Sequence, residues 1–395
     1  KFNFTTEHYR PILITKINNR RPILFRRMVF YKNFLIKYRG TNLRNQFALL
    51  YYLASQYLVA NYLGHFMKTN LLIPFGKACI VFAFDEPIHW NTLPTFMLRS
   101  ILGSQLKHIC CVQRQLACEN CAIAPSCAYA VLFESPIPKN TEVLPGRNRG
   151  AHPFVLTHEA VMENGRQYAC SLTLIGVALQ FFPFMVLAFQ KAGEEGIFSD
   201  KIHFSLAQLT DAANGKKLST PVLSPLTVQK FCLDTSMPPS AEPIAQRAKI
   251  EFLTPARIKD RGCYTLDFDA YALLYGMYRR IEILAALYAS EPDEPSTEEV
   301  VQDMPNSQSH SKKTNPEYRP PKELTIAQRQ LVWKDFSRYS QRQKAAMELG
   351  GALGWIELEG PLRSIEKSLL EAGSIFHIGK NTAFGLGAMR VEWSQ

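Results

Sequence analysis

The chain has 395 residues, of which 47% are hydrophobic and 11% aromatic, a composition that excludes a wholly disordered protein. This length is enough for two or three domains that each bury their own core. The formal net charge of +11 makes nucleic-acid binding the first hypothesis, although composition alone does not establish it.

The positive charge is concentrated at the start of the chain. Residues 1–44 contain 11 Lys or Arg and one acidic residue, Glu7, so they carry +10 and leave only +1 for the rest. A nucleic-acid site in the body must therefore be a local basic patch. We interpret residues 1–66 as a basic extension whose place in the working protein stays open. The stretch Asn45–Met67, at the end of this extension, has no Lys, Arg, Asp or Glu, but its Asn, Gln and Tyr content favours an amphipathic helix over a membrane anchor. We therefore expect no membrane partner.

The apolar patterns that follow predict two similar halves. In the first half we expect, in order, a strand, a helix, two strands, a helix and a strand: 71–84, 94–110, 153–159, 166–175, 183–192 and 197–207. In the second half the same order recurs at 249–259, 267–290, 324–333, 352–359, 361–371 and 374–393. Residues 291–322 are first acidic, then rich in Ser, Asn and Lys, and are predicted to be a flexible loop.

This order of elements predicts the fold class. We expect an α+β protein of two tandem ferredoxin-like (βαββαβ, RRM-like) domains, the first over residues 67–215 and the second over residues 245–395. A repeated fold of this kind is only a weak indication of nucleic-acid binding, because one fold serves many functions.

The five clustered cysteines lie between the first predicted helix and the next strand. Cys111, Cys118, Cys121 and Cys127 have the spacing of a tetrahedral thiolate site, with Cys110 as a substitute for Cys111. The sequence predicts a zinc knuckle inserted in the first domain, with an empty reduced cluster or an iron–sulfur site as alternatives. No open ligand position is apparent, so we expect no catalytic metal. Clustered thiols also favour a reducing cytoplasm.

A glycine-rich motif lies near the end of the chain, from His377 to Gly387. Its glycines allow close approach to a phosphate, and Lys380 and Thr382 add a cation and a hydroxyl. The alternative is a glycine-rich hairpin between strands, which the motif taken alone favours. The glycines are Gly379, Gly385 and Gly387.

This motif, with the helix before it, resembles the closing segment of the CRISPR repeat-processing endoribonucleases, Cas family six of the RAMP superfamily. The resemblance continues in collinear order from Met67 to Trp393. Asn381 stands where the family often has another glycine, and Ala388-Met389 replaces a usual basic–aromatic pair. The other similar stretches are Leu98–Gly103, Cys118 to Glu134, His152–Val155, Leu253–Lys259 and Arg338–Gln343 before Gly350-Gly351.

The resemblance implies that the chain binds CRISPR repeat RNA, with other Cas proteins of an interference complex as further partners. It implies a metal-independent endoribonuclease that releases guide RNAs and leaves a cyclic phosphate and a 5′-hydroxyl. We expect RNA contacts from the three motif glycines and from two groups of polar residues. These are Lys380 with Thr382, and Arg257, Lys259, Arg338 and Arg342.

Histidine is suited to proton transfer at neutral pH, and the resemblance implies that the catalytic histidine lies on or just after the first helix. His108, beside Lys107, is the first candidate; His89 is the second, and His152 and His377 come next. For any one of them, a solvated surface histidine is an equally good interpretation. Two rival functions stay open: a non-cleaving RNA-binding subunit of an interference complex, and a structural zinc protein with no RNA role.

Overall fold

The computed structural model describes residues 70–137, 143–222, 224–235, 243–289, 318–340 and 345–394. The basic extension and its uncharged stretch, and most of the loop predicted at 291–322, lie outside these residues. None of the helices in the described ranges is long and apolar enough to span a membrane.

The first half contains five strands and two long helices, in the order β1 (Asn70–Phe84), α1 (Pro94–Cys110), β2 (Phe154–Met162), β3 (Gln167–Ile175), α2 (Phe182–Glu195), β4 (Phe204–Asp211) and β5 (Gln229–Asp234). They form an antiparallel sheet of order β2-β3-β1-β4, with β5 paired to the first part of β1. The buried side chains recur at helical spacing in α1, where Leu98, Leu102 and Leu106 face the core.

The second half repeats this order with longer connections. Its elements are β6 (Ala245–Ala256), the short hairpin β7 (Lys259–Asp260) and β8 (Cys263–Tyr264), α3 (Ala270–Tyr288), β9 (Thr325–Lys334), β10 (Ser337–Ser340), β11 (Ala345–Glu348), β12 (Gly351–Leu362), α4 (Ser364–Phe376) and β13 (Met389–Ser394). Its sheet has the order β13-β6-β12-β9.

Both sheets therefore place the fourth main strand, the first, the third and the second side by side. This confirms the predicted α+β class and the order of elements in each half. Each half has its own core, and the second core also receives Phe75 from β1 and Phe231 from β5, whose rings lie 5.4 and 5.7 Å from that of Phe376.

Two boundaries differ from the prediction. The strand expected at 197–207 begins only at Phe204, because residues 196–203 form a turn with positive φ at Gly196, Phe198 and Lys201. The segment expected as strands from Ser374 is the end of α4 and a loop, and only β13 is extended. Strand β5 was not predicted.

Candidate functional site

A cleft of about 520 Å³ lies between the two halves and is lined by an unusual excess of cations. One wall is the segment from Leu144 to His152 of the first half, and the other is α3 with the end of β6 and the glycine-rich loop. Seven basic residues line it, and the described lining residues include no Asp or Glu. We call this site the basic cleft, and its cations are Arg147, Arg149, Arg257, Lys259, Arg279, Arg280 and Lys380.

Several of these cations are held in place by backbone carbonyls. Arg280 donates from Nε and Nη2 to the oxygen of Phe376, at 3.0 and 2.7 Å, and from Nε to that of His377, at 3.0 Å. Arg280 therefore satisfies carbonyls at the C-terminal end of α4. A positive charge at this end also interacts favourably with the helix dipole. Burial lowers the pKa of Arg280 to about 10, so it stays charged at neutral pH.

Arg257 and Lys380 are joined through the backbone. Residue 257 forms an isolated parallel bridge with Gly379, and the amide of Lys380 donates to the Arg257 oxygen at 3.3 Å. The Arg257 guanidinium lies 4.3 Å from the centre of the Tyr264 ring. The Lys380 side chain projects into a strongly positive environment. Burial first, and then Arg147, Arg280 and Lys259, lower the pKa of Lys380.

All three glycines of the motif are closely packed: Gly379 and Gly387 against backbone, and Gly385 against a threonine side chain. Gly387 has φ of 74°, and a Cβ atom there would lie 1.9 Å from the Ile378 oxygen. At Gly385, with φ of 87°, a Cβ atom would lie 2.4 Å from Thr95 Oγ1 on α1. These glycines allow the loop to fold tightly against α1 and β6, and their predicted close approach to a phosphate stays a prediction.

The departure at Asn381 is explained by its conformation. Asn381 has φ of 64° and ψ of 29°, the left-handed region where asparagine is the commonest substitute for glycine. Thr382 is buried at 6% exposure, and both residues line the basic cleft. At Asn381 the loop thus has a backbone conformation that glycine also adopts, with a polar side chain added at the cleft.

His377 is a structural residue in this arrangement. Its Nδ1–H donates to the Leu386 oxygen at 3.1 Å, since a carbonyl only accepts, and Nε2 accepts from Thr157 Oγ1 at 2.9 Å. Burial lowers the pKa of His377 to about 3. Neutral His377 therefore ties the glycine-rich loop to β2 of the first half and has no ring nitrogen left for proton transfer.

His152 lines the basic cleft but is also fully bonded. Arg99 Nη2 donates to its Nε2 at 3.0 Å, so Nδ1 carries the hydrogen and donates to Ser135 Oγ at 3.0 Å. Burial, followed by the charge of Arg99, lowers the pKa of His152 to about 3. Its ring supports the cleft wall and is not placed as an acid or base.

The structure does not bring the first-choice catalytic residues into the cleft. His108 and Lys107 are exposed at the end of α1, and His89 is exposed in the loop before that helix. None of the three is among the cleft-lining residues. The Lys107 Nζ lies 5.7 Å from the centre of the Tyr129 ring, beside the cysteine-rich connection. Arg99 of α1 contacts Phe384 of the glycine-rich loop, and His108 lies nine positions later in the same helix. This is a rise of about 13 Å along the helix.

The predicted RNA-contacting residues are partly brought together. Gly379, Lys380, Thr382, Arg257 and Lys259 line the basic cleft. Gly385 and Gly387 are buried and do not line it. Arg338 lies in β10, and Arg342 lies outside the described residues, so their predicted RNA contact stays a prediction. Sequence reasoning missed Arg279, Arg280 and Tyr275, and the available signal was a pair of arginines in a helix whose one other charged residue is Glu282.

The cysteine-rich connection forms two short 3₁₀ turns, 118–120 and 124–126, and a π-helical turn, 130–134. One small cavity of about 20 Å³ is lined by all five clustered cysteines, Cys110, Cys111, Cys118, Cys121 and Cys127. Across the described part of the chain, however, no three Cys, His, Asp or Glu side chains are arranged to hold a metal ion. The donor chemistry suits zinc, but the arrangement of the thiols is not that of a closed site. Tyr129 packs on Phe133, with ring centres 5.7 Å apart.

Two family models match the chain. Residues 72–230 match the N-terminal domain family AF_1859_N, and residues 250–389 match the CRISPR-associated endoribonuclease Cas6 family. No curated protein matches.

Solved Cas6 structures are similar at low identity. A Cas6 product complex is 16% identical, over 80% of this chain and 99% of that one, with a TM-score of 0.44. Thermus thermophilus Cas6 is 13% identical, over 81% and 99%, with a TM-score of 0.40. A Cas6-related protein of Pyrococcus furiosus is 13% identical, over 81% and 100%, with a TM-score of 0.35. The match of residues 250–389, which contain most of the cleft cations and the whole glycine-rich loop, shows that this part of the chain is a domain of the Cas6 family.

Proposed function

We propose that the chain binds CRISPR precursor RNA in the basic cleft and cuts it within the repeats to give guide RNAs. The main support is that seven cations meet the family's glycine-rich loop in one cleft whose described lining residues include no acid. RNA carries one negative charge per nucleotide, and neutralising its phosphates supplies most of the affinity of such sites. We also infer that each half is a ferredoxin-like domain, since both have the order βαββαβ and the same sheet order.

The proposed reaction needs no metal. The 2′-oxygen of one nucleotide forms a bond to the adjacent phosphorus while the bond from phosphorus to the 5′-oxygen breaks. A base takes the proton of the 2′-hydroxyl, an acid gives a proton to the 5′-oxygen, and cations stabilise the charge on the pentavalent phosphorus. Lys107 is suited to the last task because it precedes His108, the proposed acid or base, whereas Lys380 and Arg257 would hold other phosphates of the same RNA in the cleft.

We keep His108 as the proposed acid or base, with Lys107 beside it and His89 as the alternative. All three are exposed, so RNA could reach them. Helix α1 offers a continuous path for the substrate. Its first turn contacts the glycine-rich loop through a 2.7 Å hydrogen bond from Thr95 Oγ1 to the Phe384 oxygen, and its last turn carries His108.

The second candidate is an RNA-binding subunit that does not cut. It is supported by the two histidines at the cleft, His152 in its lining and His377 outside that lining. Both are neutral, and both ring nitrogens of each are hydrogen-bonded, so neither is free to transfer a proton. A protein of this kind would bind repeat RNA through the same cations and would not depend on His108 or His89.

The two candidates are separated by a cleavage assay in EDTA with labelled repeat RNA from the array nearest the gene. The first predicts one cut per repeat and a cyclic phosphate end. It also predicts that His108→Ala slows cutting about 100-fold, the usual contribution of one acid or base, with RNA affinity kept. If His108→Ala cuts like the parent and His89→Ala does not, the role moves to His89. RNA bound tightly but left intact by the parent protein supports the second candidate.

We further propose that the cysteine-rich connection holds one structural zinc through Cys111, Cys118, Cys121 and Cys127. The support is that these thiols, with Cys110, line one cavity small enough for a single ion. Binding would draw these thiolates closer together than they lie in the structure. No step of the proposed reaction depends on this metal.

A further inference from the structure

Two tyrosines on α3 form a stacked pair at the edge of the basic cleft. Tyr271 and Tyr275 are four residues apart, so their side chains lie on one face of the helix. Their ring centres are 5.4 Å apart and their planes differ by 14°. This face differs from the buried face of the helix, which packs into the second core through Leu273, Leu274 and Met277.

The pair connects the cleft to solvent. Tyr275 is a lining residue of the cleft, and Tyr271 is 44% exposed beyond it. The next lining residue, Gly276, has open space beside it, since a Cβ atom built there would meet no atom within 4 Å. Glycine within a helix costs about 1 kcal/mol relative to alanine, and packing does not require it here. The cleft is therefore open to solvent at Gly276, and the aromatic surface of the two tyrosines lies next to this opening.

The charges around the pair suit a phosphate. Arg279 lies one turn along the helix from Tyr275 and lines the cleft with Lys259 and Lys380. The Arg279 guanidinium is oriented by a hydrogen bond from Nη2 to the Val143 oxygen at 3.1 Å and by its ion pair with Glu282. A flat aromatic surface beside several cations has the two features that proteins use to bind unpaired nucleotides: stacking for the base and positive charge for the phosphate.

We propose that Tyr271 is a stacking platform for one unpaired RNA base whose phosphate lies in the basic cleft, with Tyr275 holding its ring in position. This inference rests on the proposed function and adds the form of the substrate: a single-stranded nucleotide is bound next to the cations. A duplex cannot use the platform, because its bases are already stacked on one another.

The test measures the affinity of the full chain for two RNA probes, an eight-nucleotide oligoadenylate and an eight-base-pair RNA duplex, at one fixed salt concentration. Tyr271→Ala is expected to weaken binding of the single strand about 10-fold or more, the usual effect of losing one stacked base. Binding of the duplex should change less than twofold. Tyr271→Phe keeps the ring and should restore single-strand affinity.

Phe184→Ala is the matched control. Phe184 is 43% exposed on α2, contacts one other ring, Phe181, and does not line the cleft. It should bind both probes like the parent. If Tyr271→Ala binds the single strand as tightly as the parent does, the inference is overturned. The tyrosine pair would then be a surface for a protein or for no partner. An equal loss with both probes also overturns it. If the parent binds neither probe, the proposed function itself fails, whereas Lys380→Ala weakening both probes would support that function whatever the result at Tyr271.

Discussion

The buried histidine of the glycine-rich loop makes the stability of the cleft depend on pH. His377 is 1% exposed, and burial lowers its pKa to about 3 from the ordinary value of 6.5. The unfolded chain therefore binds more protons than the folded chain between pH 3 and 6.5. The stabilising contribution is complete above about pH 6.5 and decreases as the pH falls through this window. At pH 5 the loss from this one group is about 2 kcal/mol, since each pKa unit corresponds to about 1.4 kcal/mol.

The measurement is the free energy of unfolding by urea at pH 7 and pH 5 for the parent and for His377→Gln. The variant is expected to be less stable at pH 7, because two hydrogen bonds are altered. Its difference in stability between the two pH values should be smaller than the parent's by about 2 kcal/mol. His108→Gln, which replaces an exposed histidine, serves as the control and should keep the parent's difference. If His377→Gln also keeps it, His377 is not held neutral by burial and the account of the loop is wrong.

Further expectations concern the cleft, the metal and the start of the chain. Lys380→Ala should weaken RNA binding and reduce the slope of log affinity against log salt by about one phosphate's contribution, which a salt titration measures. Freshly reduced protein should contain about one zinc per chain by elemental analysis, and Cys121→Ser should lose it and unfold at a lower temperature; no zinc in the parent would end that proposal. A version starting at Met67 should still cut repeat RNA at the same position while binding non-specific RNA more weakly, because it lacks +10 of charge. Aggregation of this version would show that residues 1–66 are needed.

The order of elements could be predicted because periodic burial determines it locally. The stripe of Leu98, Leu102 and Leu106 and the alternation along β1 predict their elements to within a residue or two. The turn at Phe198 and Lys201 could not be predicted in the same way. Positive φ at two non-glycine residues depends on the surrounding structure and leaves no mark in composition.

The candidate site was predictable only where one segment carries it. The motif around Lys380 is continuous in sequence, so its residues were found together, as were Arg257 and Lys259. Arg279 and Tyr275 reach the same cleft from a helix about 100 residues earlier, and only the packing of the halves brings them there. The choice of His108 followed the family resemblance, and the structure leaves it about 13 Å along α1 from Arg99. His152 lines the cleft and His377 lies outside its lining, and the hydrogen bonds of both give them structural roles.

The glycine-rich loop belongs to both halves of the protein at once. Thr95 and Thr157 of the first half and Thr254 of the second all hydrogen-bond to residues 377–388. Two of these four bonds, those from Thr95 and Thr157, form only after the two halves have docked. The loop should consequently be the last part of the protein to become ordered and among the first to open when either half is destabilised. A core substitution in the first half, far from any phosphate, should thereby expose loop amides to hydrogen exchange and lower the fraction of molecules able to bind RNA.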